Sequence, residues 1–128
     1  MKISVIIPVF NEKKYILEIL KKVNIQKKKF NLEIIISDDC SNDGTREILD
    51  NNSYLYDKIV INEKNQGKGA AIIKALDLVT GDYILIQDAD LEYDPSDYEK
   101  LIQPALNQDA DVVYGTRFKG SEAKRILY

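Results

Sequence analysis

The sequence predicts an α/β fold with a mainly parallel central sheet covered by helices on both faces. Short β-branched runs alternate along the chain with segments of helical periodicity, the pattern of βαβ units. Most of these runs are apolar at consecutive positions, as strands buried on both sides require. The acidic, amide and glycine residues gather directly after the runs, where the carboxyl ends of parallel strands would form a ligand crevice.

The elements follow in order. Ile3-Ser4-Val5-Ile6-Ile7 reads as the first strand, ended by Pro8, which has no backbone donor to give a ladder. Ile16, Ile19, Leu20 and Val23 fall at i, i+3, i+4 and i+7 and mark the buried stripe of a helix. Leu32-Glu33-Ile34-Ile35-Ile36 is the second strand, a short helix covers Thr45 to Leu49 after Gly44, and Ile59-Val60-Ile61 is the third strand. Ile72, Ala75, Leu76 and Val79 repeat the helical spacing ahead of a fourth strand, Tyr83-Ile84-Leu85-Ile86. Asp94 and Pro95 supply the N-cap and first position of the next helix, with stripe Tyr98, Leu101, Ile102 and Ala105. Pro104 should kink or end that helix, and Val112-Val113-Tyr114 forms a fifth strand.

At 128 residues the chain reads as one domain, 1–128, able to bury roughly two thirds of its unfolded surface. The net charge of −3 argues against nucleic acid as a partner, because backbone binding depends on an excess of Lys and Arg. The run Lys27-Lys28-Lys29 fits a solvated helix end. There is no His, which excludes the usual serine and cysteine triads and His-ligated zinc. The single Cys40 forms no intrachain disulfide, and its acidic neighbours Asp38, Asp39 and Asp43 disfavour a thiolate. With no leader-like segment and no apolar run near ~18 residues, the expected location is cytoplasmic, with peripheral contact at the membrane face.

Five segments carry chemistry. Asp88-Ala89-Asp90 follows the fourth strand; on an extended backbone the two carboxylates share a side and can converge on one hard cation, Mg²⁺ or Mn²⁺, although a solvated turn explains the pattern equally well. Asn11 and Glu12 can bond a ribose or base or simply start the first helix. Of Asp38 and Asp39, one can accept a base imide N–H while the other ties the turn through Ser41 and Thr45. Gly67-Lys68-Gly69 lets backbone approach a phosphate at a helix N-terminus. It is neither a Walker A loop nor a full dinucleotide fingerprint, since Gly69 follows Lys68 and Ile72 stands at the third glycine position. Arg117, after Gly115, can clamp a diphosphate bidentately.

Taken together, Ser4-Val-Ile-Ile-Pro-Val-Phe-Asn-Glu12, Ser37-Asp-Asp-Cys-Ser-Asn-Asp-Gly-Thr45, Asn65-Gln-Gly-Lys-Gly-Ala-Ala71, Gln87-Asp-Ala-Asp-Leu-Glu92 and Val113-Tyr-Gly-Thr-Arg117 resemble the family 2 glycosyltransferases. Within them the chain is most similar to the dolichyl- and polyprenyl-phosphate mannosyl- and glucosyltransferases. The resemblance implies the three-layer α/β/α nucleotide-diphospho-sugar transferase (GT-A, Rossmann-like) fold and a metal-dependent, inverting transfer from a UDP- or GDP-sugar. The acceptor would be a polyprenyl phosphate or a glycan of the cell envelope. It implies that Pro8, Phe10, Asn11, Glu12, Asp38, Asp39, Gly67, Lys68, Asp88 and Ala89 hold the nucleotide sugar. Asp88 and Asp90 would act with the metal, Glu92 as its third oxygen ligand, and Arg117 at the donor or acceptor phosphate. Phe10-Asn11-Glu12 stands where a sugar-phosphate nucleotidyltransferase would carry a Gly-rich loop, which disfavours that activity.

Family members are normally longer, so the expectation is a donor-binding domain truncated at its C-terminus, before the general base a hydroxyl acceptor would need. Such a chain would bind donor, transfer sugar poorly and self-associate through uncovered apolar surface. A non-catalytic nucleotide-sugar binding module is the alternative.

Overall fold

The computed structural model describes residues 1–107; the expected fifth strand and Arg117 lie outside the described residues. The elements are β1 (Lys2–Val9), α1 (Ile16–Gln26), β2 (Asn31–Asp38), α2 (Thr45–Asn51), β3 (Lys58–Ile61), α3 (Lys68–Leu76), β4 (Tyr83–Ile86) and α4 (Tyr98–Asn107), with 3-10 turns at Ser53–Leu55 and Pro95–Asp97. The four strands are all parallel, in the order β3-β2-β1-β4.

β1 lies inside the sheet, and every residue from Ile3 to Val9 is buried. It continues through Pro8 rather than ending there. The carbonyls of Lys2 and Ile6 accept from Asp82 and Gln87, so even-numbered residues of β1 turn their backbone polar groups toward β4. That pairing stops at Ile86, and the proline nitrogen therefore faces a place with no ladder bond to lose. β2 likewise extends to Asp38, paired with Val9.

The first face carries the larger core. Val5, Ile7 and Val9 of β1, Ile34 and Ile36 of β2 and Leu85 of β4 pack with Leu49 of α2, with Tyr98 and Ile102 of α4, and with the predicted stripe of α1, Ile16, Ile19, Leu20 and Val23. Each fully buried aliphatic side chain contributes about 1.5–3 kcal/mol, so α1 is fixed by packing and needs no side-chain cap, and has none. Lys27, first of the basic run, caps α1 and pairs with Asp57 at 3.0 Å. Asp94 caps the turn leading into α4 through Ser96 N–H at 2.9 Å. α4 neither starts at Pro95 nor stops at Pro104: the 3-10 turn comes first, and the helix runs to Asn107 with Pro104 inside it.

The second face is thinner, with Ile6, Ile35 and Ala75 at its centre. Here the sequence expectation is met in part: Ala75 is at the centre with Ile72 and Val79 packed against the cluster, while Leu76 is not. The fully buried residues of α3 are Ala71 and Ala75, whereas Leu76 is 44% exposed and Val79 lies beyond the helix end. Two alanines one turn apart bring the helix backbone close to the sheet, and Ser37 Oγ donates to the Ala71 carbonyl at 2.7 Å. The larger Ile72 is left half-buried and Ile73 points out. Gly81 marks a second close approach, since a Cβ there would stand 2.6 Å from Ser4 N.

Candidate active site

In this strand order β1 continues into β2 and β3 on one side, while β4 returns to its other side. The crevice beyond the carboxyl ends of β1 and β4 is thus a topological switch point. A cleft of about 310 Å³ opens there. β1 contributes Pro8 and Val9, the following turn Phe10 and Glu12, the residue after β2 Asp39, α3 Lys68 and Ala71, and the segment after β4 Asp88, Ala89, Asp90 and Glu92.

Among the described residues, three that are not glycine adopt left-handed backbone conformations, Asn11 (φ 51°), Cys40 (φ 66°) and Leu91 (φ 65°), one after each of β1, β2 and β4. Such conformations persist where surrounding contacts over-determine them and tend to mark functional loops. The contacts are visible here. Ser41 Oγ donates to Asp38 at 2.6 Å and accepts from Asn11 N–H at 2.9 Å, while Asn11 Oδ1 accepts from Asn42 N–H at 2.8 Å. Asn11 is therefore a clasp between two loops and does not line the cleft.

The two aspartates at the end of β2 divide their work. Asp38 is fully buried and holds the turn, accepting from Ser41 N–H and from Arg46 Nε, both at 3.1 Å. It has no open surface for a ligand, and the cleft is lined instead by Asp39. Asp39 accepts from Asn62 Nδ2 at 3.1 Å, Gln66 N–H at 3.0 Å and Gly67 N–H at 2.8 Å. Burial works to raise its carboxyl, but Gln66, Asn62, Gly67 and Lys74 outweigh this and hold it below the usual carboxylate range. A carboxylate has about four acceptor positions, so one direction stays open.

Gly67 (φ 97°) turns the chain into α3, a conformation that favours glycine. Its N–H is spent on Asp39 and does not line the cleft. The next residue, Lys68, does, and its ammonium is ion-paired with Asp88.

The acidic segment is a turn rather than an extended strand. β4 ends at Ile86, and Ala89 and Asp90 already lie in the turn that leads to left-handed Leu91. Asp88 and Asp90 reach one cleft through that turn. Gln87, not singled out from sequence, fixes it: fully buried, its Nε2 donates to the carbonyls of Asp88 (3.0 Å) and Tyr93 (2.9 Å), and its Oε1 accepts from Tyr98 hydroxyl at 2.8 Å. Asp90 Oδ1 accepts from Glu92 N–H at 3.0 Å. The only signal for Gln87 in the sequence is an amide among apolar strand residues. Arg46 and Asn62 gave none.

The Glu12 carboxyl is raised, first by burial and then by the negative charges of Asp90, Asp43 and Asp88. Among the described residues no three His, Cys, Asp or Glu side chains form a ready metal cage. The donors are nevertheless all oxygen, and the negative charges of Asp90 and Asp88 add to burial in raising Glu12. Those properties fit a hard divalent cation such as Mg²⁺ or Mn²⁺, which also keeps positions for phosphate oxygens.

The family model for glycosyl transferase family 2 matches residues 4–127. A dolichol-phosphate mannosyltransferase of Pyrococcus furiosus is 33% identical over 126 residues, covering 97% of this chain and 36% of that protein. Among solved structures, S. aureus TarS in complex with UDP is similar at a TM-score of 0.62 and 34% identity, over 70% of this chain and 28% of that one. The mannosyltransferase PcManGT from Pyrobaculum calidifontis, in complex with GDP-Man and Mn²⁺, is similar at a TM-score of 0.59 and 31% identity, over 69% and 27%. The chain thus spans about a third of the length of these three proteins. Its parallel sheet and these neighbours are those of the GT-A fold. No described helix is long and apolar enough to cross a membrane.

Proposed function

The chain belongs to glycosyl transferase family 2, and on that premise we propose that it forms the donor-binding part of a metal-dependent, inverting glycosyltransferase. The donor is a UDP- or GDP-linked sugar and the acceptor a polyprenyl phosphate. The observation that carries the reading is the cleft at the β1/β4 switch point, where carboxylates that follow three strands, β1, β2 and β4, face the first turn of α3. The relatives that bind UDP, or GDP-Man with Mn²⁺, support the donor and metal. The dolichol-phosphate mannosyltransferase supports the acceptor.

Each lining group has work to do. Phe10, 41% exposed at the rim, offers a ring face on which a base can stack. Asp39 keeps one acceptor direction for a base imide N–H, and Pro8 and Glu12 form the adjoining wall. The first turn of α3, which brings Lys68 to the cleft, would offer the positive end of its dipole to a diphosphate. Asp88, Asp90 and Glu92 would hold the divalent ion, and Arg117 would meet the donor or acceptor phosphate. Bound there, the ion supplies Lewis-acid stabilisation of the charge on the departing diphosphate. A phosphate acceptor is already ionised near neutral pH, so the chain needs no general base to activate it.

Thermal unfolding with UDP, GDP and dTDP, each with and without Mn²⁺, tests the reading. One diphosphate should stabilise the chain only when Mn²⁺ is present, by ~2.7 kcal/mol at 100 times its Kd. Stabilisation by none of the three would refute it. Transfer of labelled sugar to a polyprenyl phosphate, assayed with the matching donor, then tests the acceptor.

A further inference from the structure

Resting on the proposed function, we propose that Lys68 is a resident counter-ion that holds Asp88 until metal and diphosphate arrive together. The two ligands then bind synergistically, and each binds weakly alone. Among the described residues the cleft is lined by five carboxylates, Glu12, Asp39, Asp88, Asp90 and Glu92, and by one cation, Lys68. Of these, Asp39 is occupied by its own three donors. The Lys68 ammonium spans from the first turn of α3 to the segment after β4 and pairs with Asp88, one of the groups assigned to the metal.

A divalent cation that takes Asp88 must displace this ammonium and then repels it at short range. With no anion in the cleft, the exchange strips Lys68 of its pairing with Asp88 and places two cations side by side. A diphosphate changes the balance. Lys68 is the first residue of α3, its side chain is 47% exposed, and its four-carbon stem is flexible enough to turn from Asp88 to a phosphate seated at that helix end. Asp88 passes from lysine to metal as lysine passes from Asp88 to diphosphate. Linkage makes the coupling reciprocal, so each ligand tightens the other by the same factor.

Calorimetric titration of Mn²⁺ into the 128-residue chain, alone and with saturating UDP or GDP, measures this factor. In the unsubstituted chain the diphosphate should tighten Mn²⁺ roughly tenfold or more. In Lys68→Met, Mn²⁺ alone should bind roughly three- to tenfold tighter, because a competing ion pair is gone. The diphosphate should bind more weakly, and the coupling factor should fall toward one. Lys68→Arg keeps the charge and should stay near the unsubstituted chain. Mn²⁺ binding to Lys68→Met that is unchanged or weaker, or an equal gain in Lys68→Arg, overturns the inference while leaving the proposed function standing. Absence of Mn²⁺ binding to the unsubstituted chain with either diphosphate overturns both.

Discussion

Glu33 lies near the amino ends of β1 and β2, away from the cleft, and shows how one buried charge can be held in this fold. It pairs with Lys58 at 2.7 Å and accepts from Ser4 Oγ at 2.6 Å, Thr80 N–H at 3.1 Å and Thr80 Oγ1 at 3.0 Å. Burial by itself raises the carboxyl, but Lys58, Ser4 and Thr80 together bring it down to about 2. A carboxyl that is more acidic folded than unfolded contributes stability above its unfolded value, near 4.5, and loses it as pH falls toward about 2. The full contribution is on the order of 3 kcal/mol. Glu33→Gln should therefore unfold at lower urea at pH 7 and show a flatter loss of stability between pH 4.5 and 2; an unchanged acid limb would contradict the role given to this carboxylate. At the cleft, Asp90→Asn separates charge from turn geometry, because the amide oxygen can still accept from Glu92 N–H. Melting should stay near that of the unsubstituted chain, while Mn²⁺-dependent diphosphate binding weakens about tenfold or more, the scale of one charge-assisted contact. Calorimetry reads the second effect and thermal unfolding the first.

At the scale of elements, the segment after β4 is held by a hydrogen-bond junction that joins it to α4. Gln87 reaches the Asp88 and Tyr93 carbonyls, and Tyr98, at the start of α4, donates to Gln87. Tyr98→Phe leaves one buried acceptor unpaired and should cost about 1–2 kcal/mol. Gln87→Leu strands two carbonyls and the tyrosine hydroxyl, and should cost more and speed amide exchange across residues 88–93. Equal exchange in that segment would show that the turn is held by something else. Much of this architecture was legible in the sequence. Continuous apolar runs such as Ile34-Ile35-Ile36 announced strands buried on both faces, and the spacing of Ile16, Ile19, Leu20 and Val23 gave the packed side of α1. What was not legible depends on backbone turns and on partners distant in sequence. Left-handed Cys40 and Leu91 decide that Asp39 rather than Asp38 faces the cleft and that Asp88 and Asp90 meet there through a turn. The Lys68–Asp88 pair joins residues twenty positions apart. In α3 the expected Ile72, Ala75 and Val79 do pack on the second core, whereas Leu76 is exposed and Ala71 was missed, because alanine weighs less than leucine in an apolar pattern.

At the scale of the molecule, the described residues secure the two faces of the sheet unequally, and the cleft straddles the difference. One face packs α1, α2 and α4 over a continuous core from Ile3 to Ile102. The other holds α3 over Ile6, Ile35 and Ala75, with Ile73 66% exposed on the helix's outer side. Elements with few buried apolar contacts open at lower free energy than the core they rest on. α3 should therefore exchange its amides through a partial opening, well before β1, β2 and α1 exchange by global unfolding. The same helix supplies Lys68 and Ala71 to the cleft, so a bound diphosphate should stabilise the closed form of α3 and have less leverage on α1. Hydrogen exchange followed with and without Mn²⁺ and the stabilising nucleoside diphosphate measures both effects. Protection should rise mainly in residues 68–76 and 88–93. If α3 already exchanges at the global free energy of β1 in the ligand-free chain, the thin face is not the weak one; if protection rises equally in α1, the ligand is stabilising the fold as a unit rather than the wall that α3 provides.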